Sequence, residues 1–214
     1  MHIDTPQTRC RAGVARADIT PPVGIYHRMW GAATHDRATG VHRPLTATAL
    51  WLAPLDGKRE EGRLVVALDQ CVLVKSEIER MQQAAGRAAG IAAEQIHISL
   101  SHTHAAGLMM RSRADFPGGD LIGPYLDSVA QKLASLAPLA INSAQPATIS
   151  YGLGRCSLAA NRDFRDERKK IFVCGLNPAG PADDTVLAVR VVANPGQLDA
   201  PDTSGLRLDA RPKT

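Results

Sequence analysis

The chain reads as an α/β (or α+β) protein, with a mixed sheet and flanking helices. Three observations predict this class. Short runs rich in Val, Leu and Ala recur between Gly- and Pro-containing breaks. Two longer segments carry apolar residues at helical spacing, and the two kinds of segment alternate along the chain instead of separating into blocks.

Residues 13–19 (GVARADI) form the first expected strand, ended by Thr20-Pro21-Pro22. Residues 23–43 come next as a long loop rich in Gly, His and Arg, and a loop of that length in a compact domain is usually functional. Residues 45–53 (LTATALWLA) and 63–68 (RLVVAL) read as two strands of a hairpin turning at Asp56-Gly57. Ser76 then opens a helix as a capping residue, with Glu79 three positions on completing a capping box. Ile78, Met81, Ala85 and Ala88 give that helix its apolar face, and Gly90 its stop.

Residues 95–100 are the next strand. A second helix is expected from Pro124, a good first-turn residue, to Ala137, with Leu126, Val129, Leu133 and Leu136 as its stripe. Residues 147–152 and 186–192 complete the strands. From Asn194 to Thr214 apolar periodicity is lost, and the segment reads as a disordered tail.

Composition narrows the function classes. Hydrophobic residues make up 44% of the 214 and charged residues 21%, as in a globular body. A net charge of +4 comes with scattered arginines. The one dense run, residues 165–170 (RDERKK), mixes signs and reads as a solvated turn, so no nucleic-acid partner is expected. Cys10, Cys71, Cys156 and Cys174 contain no CxxC pair, which favours buried free thiols over disulfides or a cysteine-rich zinc site. No apolar stretch is long enough to span a membrane, and the N-terminal residues carry no signal-like apolar core. As written, the chain is therefore expected in the cytoplasm.

Chemistry concentrates at residues 98–107 (ISLSHTHAAG). His102 and His104 come after an apolar strand two residues apart, so an extended backbone would put both imidazoles on one face. Ser101 and Thr103 add hydroxyls, and the small residues 105–107 leave room for a ligand. Such a pair suits a catalytic zinc ion, which takes imidazole nitrogens and keeps one position for water; two hydrogen-bonded histidines are the alternative. His42 stands just before a strand, while His27 and His35 share its loop and are expected to be mostly exposed. Asp69 ends the strand at residues 64–68, placed either to orient an imidazole or to cap the following helix. Arg162, after Asn161, could bind a carboxylate or a developing oxyanion, or pair with Asp163 or Asp166 on the surface.

Taken in order, these pieces resemble the N-terminal part of the neutral/alkaline non-lysosomal ceramidases. Residues 13–20 (GVARADIT) are similar to the family's opening G-x-x-(R/K)-A-D-I-T strand, and residues 39–43 (TGVHR) to its A-G-I-H-x-R turn. Residues 65–69 (VVALD) resemble the Asp-ended strand that comes next in the family. Residues 99–107 (SLSHTHAAG) resemble the T-H-T-H-S-G-P-G signature, with Ala105-Ala106-Gly107 in place of the usual Ser-Gly-Pro. Residues 151–162 are similar to the Y-G … N-R stretch. The resemblance covers residues 12–193 and leaves residues 194–214 unmatched.

It implies a zinc-dependent amidase that splits N-acylsphingosine, a lipid-like amide, into a fatty acid and sphingosine. By the same resemblance His102 is a zinc ligand, His104 lies beside the substrate, and Arg162 hydrogen-bonds it near the reacting carbonyl. His42 and Asp69 stand near the site. The family's later ligands, a second histidine, a glutamate and a tyrosine, have no counterpart here, so the zinc site is expected to be incomplete. The chain is expected to be a fragment of a larger domain with little activity alone, exposing a sheet edge open to association. Family members are often secreted. Two other readings stand beside this one. A different metal-dependent amidohydrolase would place its HxH in the first strand, and a non-catalytic remnant would use the histidines only for hydrogen bonds.

Overall fold

The computed structural model describes residues 7–29 and 33–194. They divide into two compact units, one spanning Arg9–Ala147 and the other Thr148–Val192. The expectation for residues 195–214 lies outside the described residues.

The first unit is a mixed sheet carrying two helices. Strands β1 (Gln7–Asp18), β2 (Thr46–Ala53) and β3 (Arg63–Leu68) are antiparallel neighbours, and β4 (Ile96–Leu100) lies parallel to β3. The strand order runs β4-β3-β2-β1 and continues with β5 (Gln145–Arg155) and β8 (Thr185–Ala193), of which residues 145–147 and 193 belong to this unit. Helix α1 (Lys75–Ala89) joins β3 to β4, because two parallel neighbours need a crossover.

Alternation makes one sheet face apolar. Ala47, Ala49 and Trp51 on β2 stand opposite Leu68, Val66 and Leu64 on β3, and all six are buried. In turn Leu64, Val66 and Leu68 oppose Ile96, Ile98 and Leu100 on β4. Met81, Ala85 and Ala89 of α1, with Leu126, Val129, Leu133 and Leu136 of α2 (Ile122–Asn142), belong to the same core. The other face carries Arg16 and Thr48, joined by a 2.9 Å hydrogen bond.

Both helices differ from their expected outlines. α1 starts two residues early, with Val74 as its N-cap in place of Ser76 and no side-chain cap. Ser76 therefore sits inside the first turn, and Glu79 pairs with Lys75 at 3.3 Å instead of closing a capping box. Ala89, not Ala88, continues the buried stripe, and Gly90 ends the helix at φ 64°. α2 does not stop at Ala137 but runs through Pro138 to Asn142. The proline forfeits one backbone bond, yet the next turn buries Ala140 against β1. Gly13 allows this approach, since a Cβ there would stand 2.0 Å from the Ala140 carbonyl oxygen.

A charged cluster joins the helices. Arg111 donates from Nε to Glu77 Oε1 at 2.7 Å and from a terminal nitrogen to Asp127 Oδ1 at 2.6 Å. Arg80 reaches the same Asp127 oxygen at 3.1 Å. Hydrogen bonding to Arg111 is the main cause that holds the Asp127 carboxyl below its ordinary range.

The second unit contains most of β5 and β8 and a hairpin of β6 (Asp163–Asp166) and β7 (Ile171–Cys174), which sequence patterning did not reveal. Its turn is the RDERKK run: Asp166 Oδ1 accepts from the Arg168 and Lys169 amides at 3.0 and 3.2 Å, and Lys170 adopts φ 55°. All four cysteines are free; Cys10 and Cys71 are buried, but Cys156 and Cys174 are exposed, against the expectation of buried thiols. Among the described residues no helix is long and apolar enough to cross a membrane.

Candidate metal centre

The parallel pairing of β3 and β4 builds the site. Leu68 and Leu100 are register partners at the carboxyl ends of these strands, so the two segments that leave them emerge at one edge of the sheet. Ligand sites of α/β sheets form at such edges. After β4, the Ser101 amide still donates to the Leu68 carbonyl at 3.0 Å, and the chain then turns sharply. His102 sits at φ 55°, a left-handed conformation uncommon for a residue with a Cβ. Thr103 accepts from the Ala105 amide at 3.3 Å and starts a short 3-10 turn over His104–Ala106. A turn, not strand alternation, therefore brings the two imidazoles together, edge to face with ring centroids 5.3 Å apart.

After β3 come Asp69, Gln70 and Cys71. Asp69 Oδ2 accepts from the Thr46 amide at 2.9 Å and the Thr46 hydroxyl at 3.0 Å, tying the end of β3 to the start of β2. Gln70 is buried and donates to the Tyr125 hydroxyl, which donates onward to the Ile19 carbonyl at 2.7 Å. Cys71 reaches the histidine pair. His102 Nδ1 lies 3.1 Å from the Cys71 carbonyl oxygen and 3.8 Å from its sulfur. A carbonyl only accepts, so Nδ1 carries the proton and Nε2 keeps its lone pair. Metal-binding histidines are commonly oriented by such a bond.

Cys71, His102 and His104 each offer a ligand atom, all within 4.8 Å of one another. One sulfur and two imidazole nitrogens fit a zinc-type ion and leave a fourth position for water. They do not fit magnesium or calcium, which take oxygen donors. Burial raises the Cys71 thiol pKa above its ordinary value.

The remaining expected residues do not belong to the three-donor group. His42 is exposed in the loop before β2, and neither it nor Asp69 belongs to the three-donor group. His35 is exposed, but His27 is half-buried, and its Nε2 donates to the Ala105 carbonyl at 2.9 Å. Gly107, at φ 71°, would bring a Cβ within 3.5 Å of the His27 Cα, so the long loop packs on the histidine turn. Arg162 belongs to the second unit, where it is exposed and donates from Nε to the Gly175 carbonyl at 3.4 Å. Cys71 is the residue that sequence reasoning missed. Its signal was positional: two apolar strands joined by one helix pair in parallel, which puts residues just beyond each strand at one edge.

No protein-family model matches the chain, and no curated protein sequence does. Among solved structures, it is similar to a neutral ceramidase from Pseudomonas aeruginosa, with a TM-score of 0.64 and 14% identity over 91% of this chain and 31% of that one. It is also similar to a ceramidase complexed with C2, with a TM-score of 0.58 and 17% identity over 90% of this chain and 30% of that one. The chain thus spans about a third of the length of these structures. At such identity the likeness shows a ceramidase-like fold.

Proposed function

We propose that the chain is the metal-bearing region of a ceramidase-like amide hydrolase acting on a lipid-like N-acyl substrate. The observation that carries this reading is the convergence of His102 and His104 with Cys71 at the carboxyl edge of two parallel strands. The likeness of the fold to two ceramidase structures supports it, as does the order of the sequence motifs across residues 12–193.

In this reading His102 holds the ion through Nε2, its ring fixed by the bond from Nδ1 to the Cys71 carbonyl. His104, exposed on the adjoining turn, stands on the substrate side of the ion. When bound, a zinc ion supplies Lewis-acid polarisation of the amide carbonyl and lowers the pKa of a bound water. Asp69 supports the site indirectly, by holding the end of β3 against β2.

The test is titration of the purified chain, with and without zinc, with a short-chain N-acylsphingosine below its aggregation concentration. Zinc-dependent binding is expected, weakened tenfold or more in His104→Ala, with slow release of the fatty acid. Equal binding with and without zinc, in the wild type and in both His102→Ala and His104→Ala, would overturn the proposal.

A further inference from the structure

Resting on that metal-site reading, we propose that Cys71 is itself a metal ligand, so that this chain binds its ion through a sulfur–imidazole donor set. The sequence reading supplied imidazoles alone, and no thiolate belonged to the expected ligands.

Three observations converge on the sulfur. Cys71 and His102 are linked twice, by the ring's bond to the Cys71 carbonyl at 3.1 Å and by the 3.8 Å approach of sulfur to Nδ1. All three donors already lie within 4.8 Å of one another. Around a tetrahedral zinc, with bonds of about 2.3 Å to sulfur and about 2.0 Å to nitrogen, donors stand roughly 3.5 Å apart. Closing that difference takes side-chain rotation at the exposed His104 and at Cys71, with the His102 ring kept on the Cys71 carbonyl, and no change of fold. Finally, His102 is held at φ 55° by the same turn, a strained placement of the sort that persists where a side chain must be aimed.

Binding converts the Cys71 thiol to a thiolate. The S–H bond breaks, the sulfur–metal bond forms, and the proton leaves to water. His104 is the third donor within reach. The ligand class is a borderline divalent ion such as zinc or cobalt, and a hundredfold excess of magnesium or calcium is expected not to displace it.

Cobalt(II) makes the proposal visible, because a thiolate ligand adds a near-ultraviolet charge-transfer band to the visible bands of a tetrahedral ion. The full chain titrated with cobalt is expected to show both. Cys71→Ser should keep the visible bands, lose the charge-transfer band and bind at least tenfold more weakly. Should that variant fail to fold, Cys156→Ser/Cys174→Ser serves instead: it removes only exposed thiols, and the charge-transfer band must persist in it. Visible bands without charge transfer would overturn ligation by Cys71 while leaving the histidine site standing. A folded chain that binds no cobalt would overturn both.

Discussion

The Nδ1 atom of His102 donates to the main-chain oxygen of Cys71 across 3.1 Å, joining the two segments that leave β3 and β4. His102 does so from a left-handed backbone conformation. For a residue with a Cβ, that conformation costs about 1 kcal/mol, similar to the roughly 1 kcal/mol a neutral hydrogen bond contributes. Replacing His102 with glycine removes both terms. Chemical denaturation of the metal-free His102→Gly chain is therefore expected to give a stability within about 1 kcal/mol of the wild type, while any thermal shift on adding zinc disappears.

Two glycines separate backbone strain from steric exclusion. Gly118 and Gly57 have nearly equal φ, 82° and 80°. A Cβ on Gly118 would stand 2.1 Å from the Gly24 carbonyl oxygen, whereas one on Gly57 meets nothing within 4 Å. Gly57→Ala should cost about 1 kcal/mol. Gly118→Ala should cost about 3 kcal/mol, the strain plus displacement of the loop that holds His27. Urea denaturation of the two variants measures the difference, and equal losses would refute it.

The Glu77–Arg111–Asp127 cluster predicts an acid-sensitive helix pair. The Asp127 carboxyl is depressed in the folded chain, so its contribution is present above the unfolded value near 3.9 and is lost as pH falls through the folded value. Its side chain is 48% exposed, so solvent screens the effect and added salt should weaken it. Asp127→Asn is expected to flatten the acid limb of the stability profile at low salt. Arg111→Met should be worse at neutral pH, by about 3 kcal/mol, because it leaves the Glu77 side chain, 5% exposed, without its partner.

Strand β8 ends the strand order of the described residues, and its Leu187 and Val189 are 62% and 53% exposed on one face. An apolar outer strand favours self-association. Light scattering of the chain is expected to show a mass that rises with concentration, and Leu187→Lys/Val189→Lys should lower that rise. A concentration-independent monomer in both would remove the association that the sheet edge suggests.

Much of the fold was legible because it rests on local pattern. The run RLVVAL alternates between faces, and β3 occupies those six residues. The stripe of Leu126, Val129, Leu133 and Leu136 is buried as its spacing requires. The elements that sequence patterning missed depended on tertiary context. The helix expected to end at Ala137 continues to Asn142, because Ala140 packs over Gly13. Ser76 reads as a cap, but the chain enters α1 from Val74 and Lys75 takes Glu79. The β6–β7 hairpin was hidden because its strands are four residues each and flank a charged turn. At the site, the histidine pair was visible as a motif. Cys71 and His27 were not, because each reaches it across the fold, from the end of the neighbouring strand and from the long loop.

A divalent ion held through His102 and its neighbours is the central claim. Zinc titrated into the metal-free chain, with calorimetry and thermal unfolding as readouts, tests it most directly. One zinc per chain is expected, with about 2.7 kcal/mol of stabilisation at a free zinc concentration one hundred times Kd, both absent in His102→Ala. Zinc that fails to bind the folded chain, or that binds and stabilises His102→Ala as well as the wild type, would contradict it.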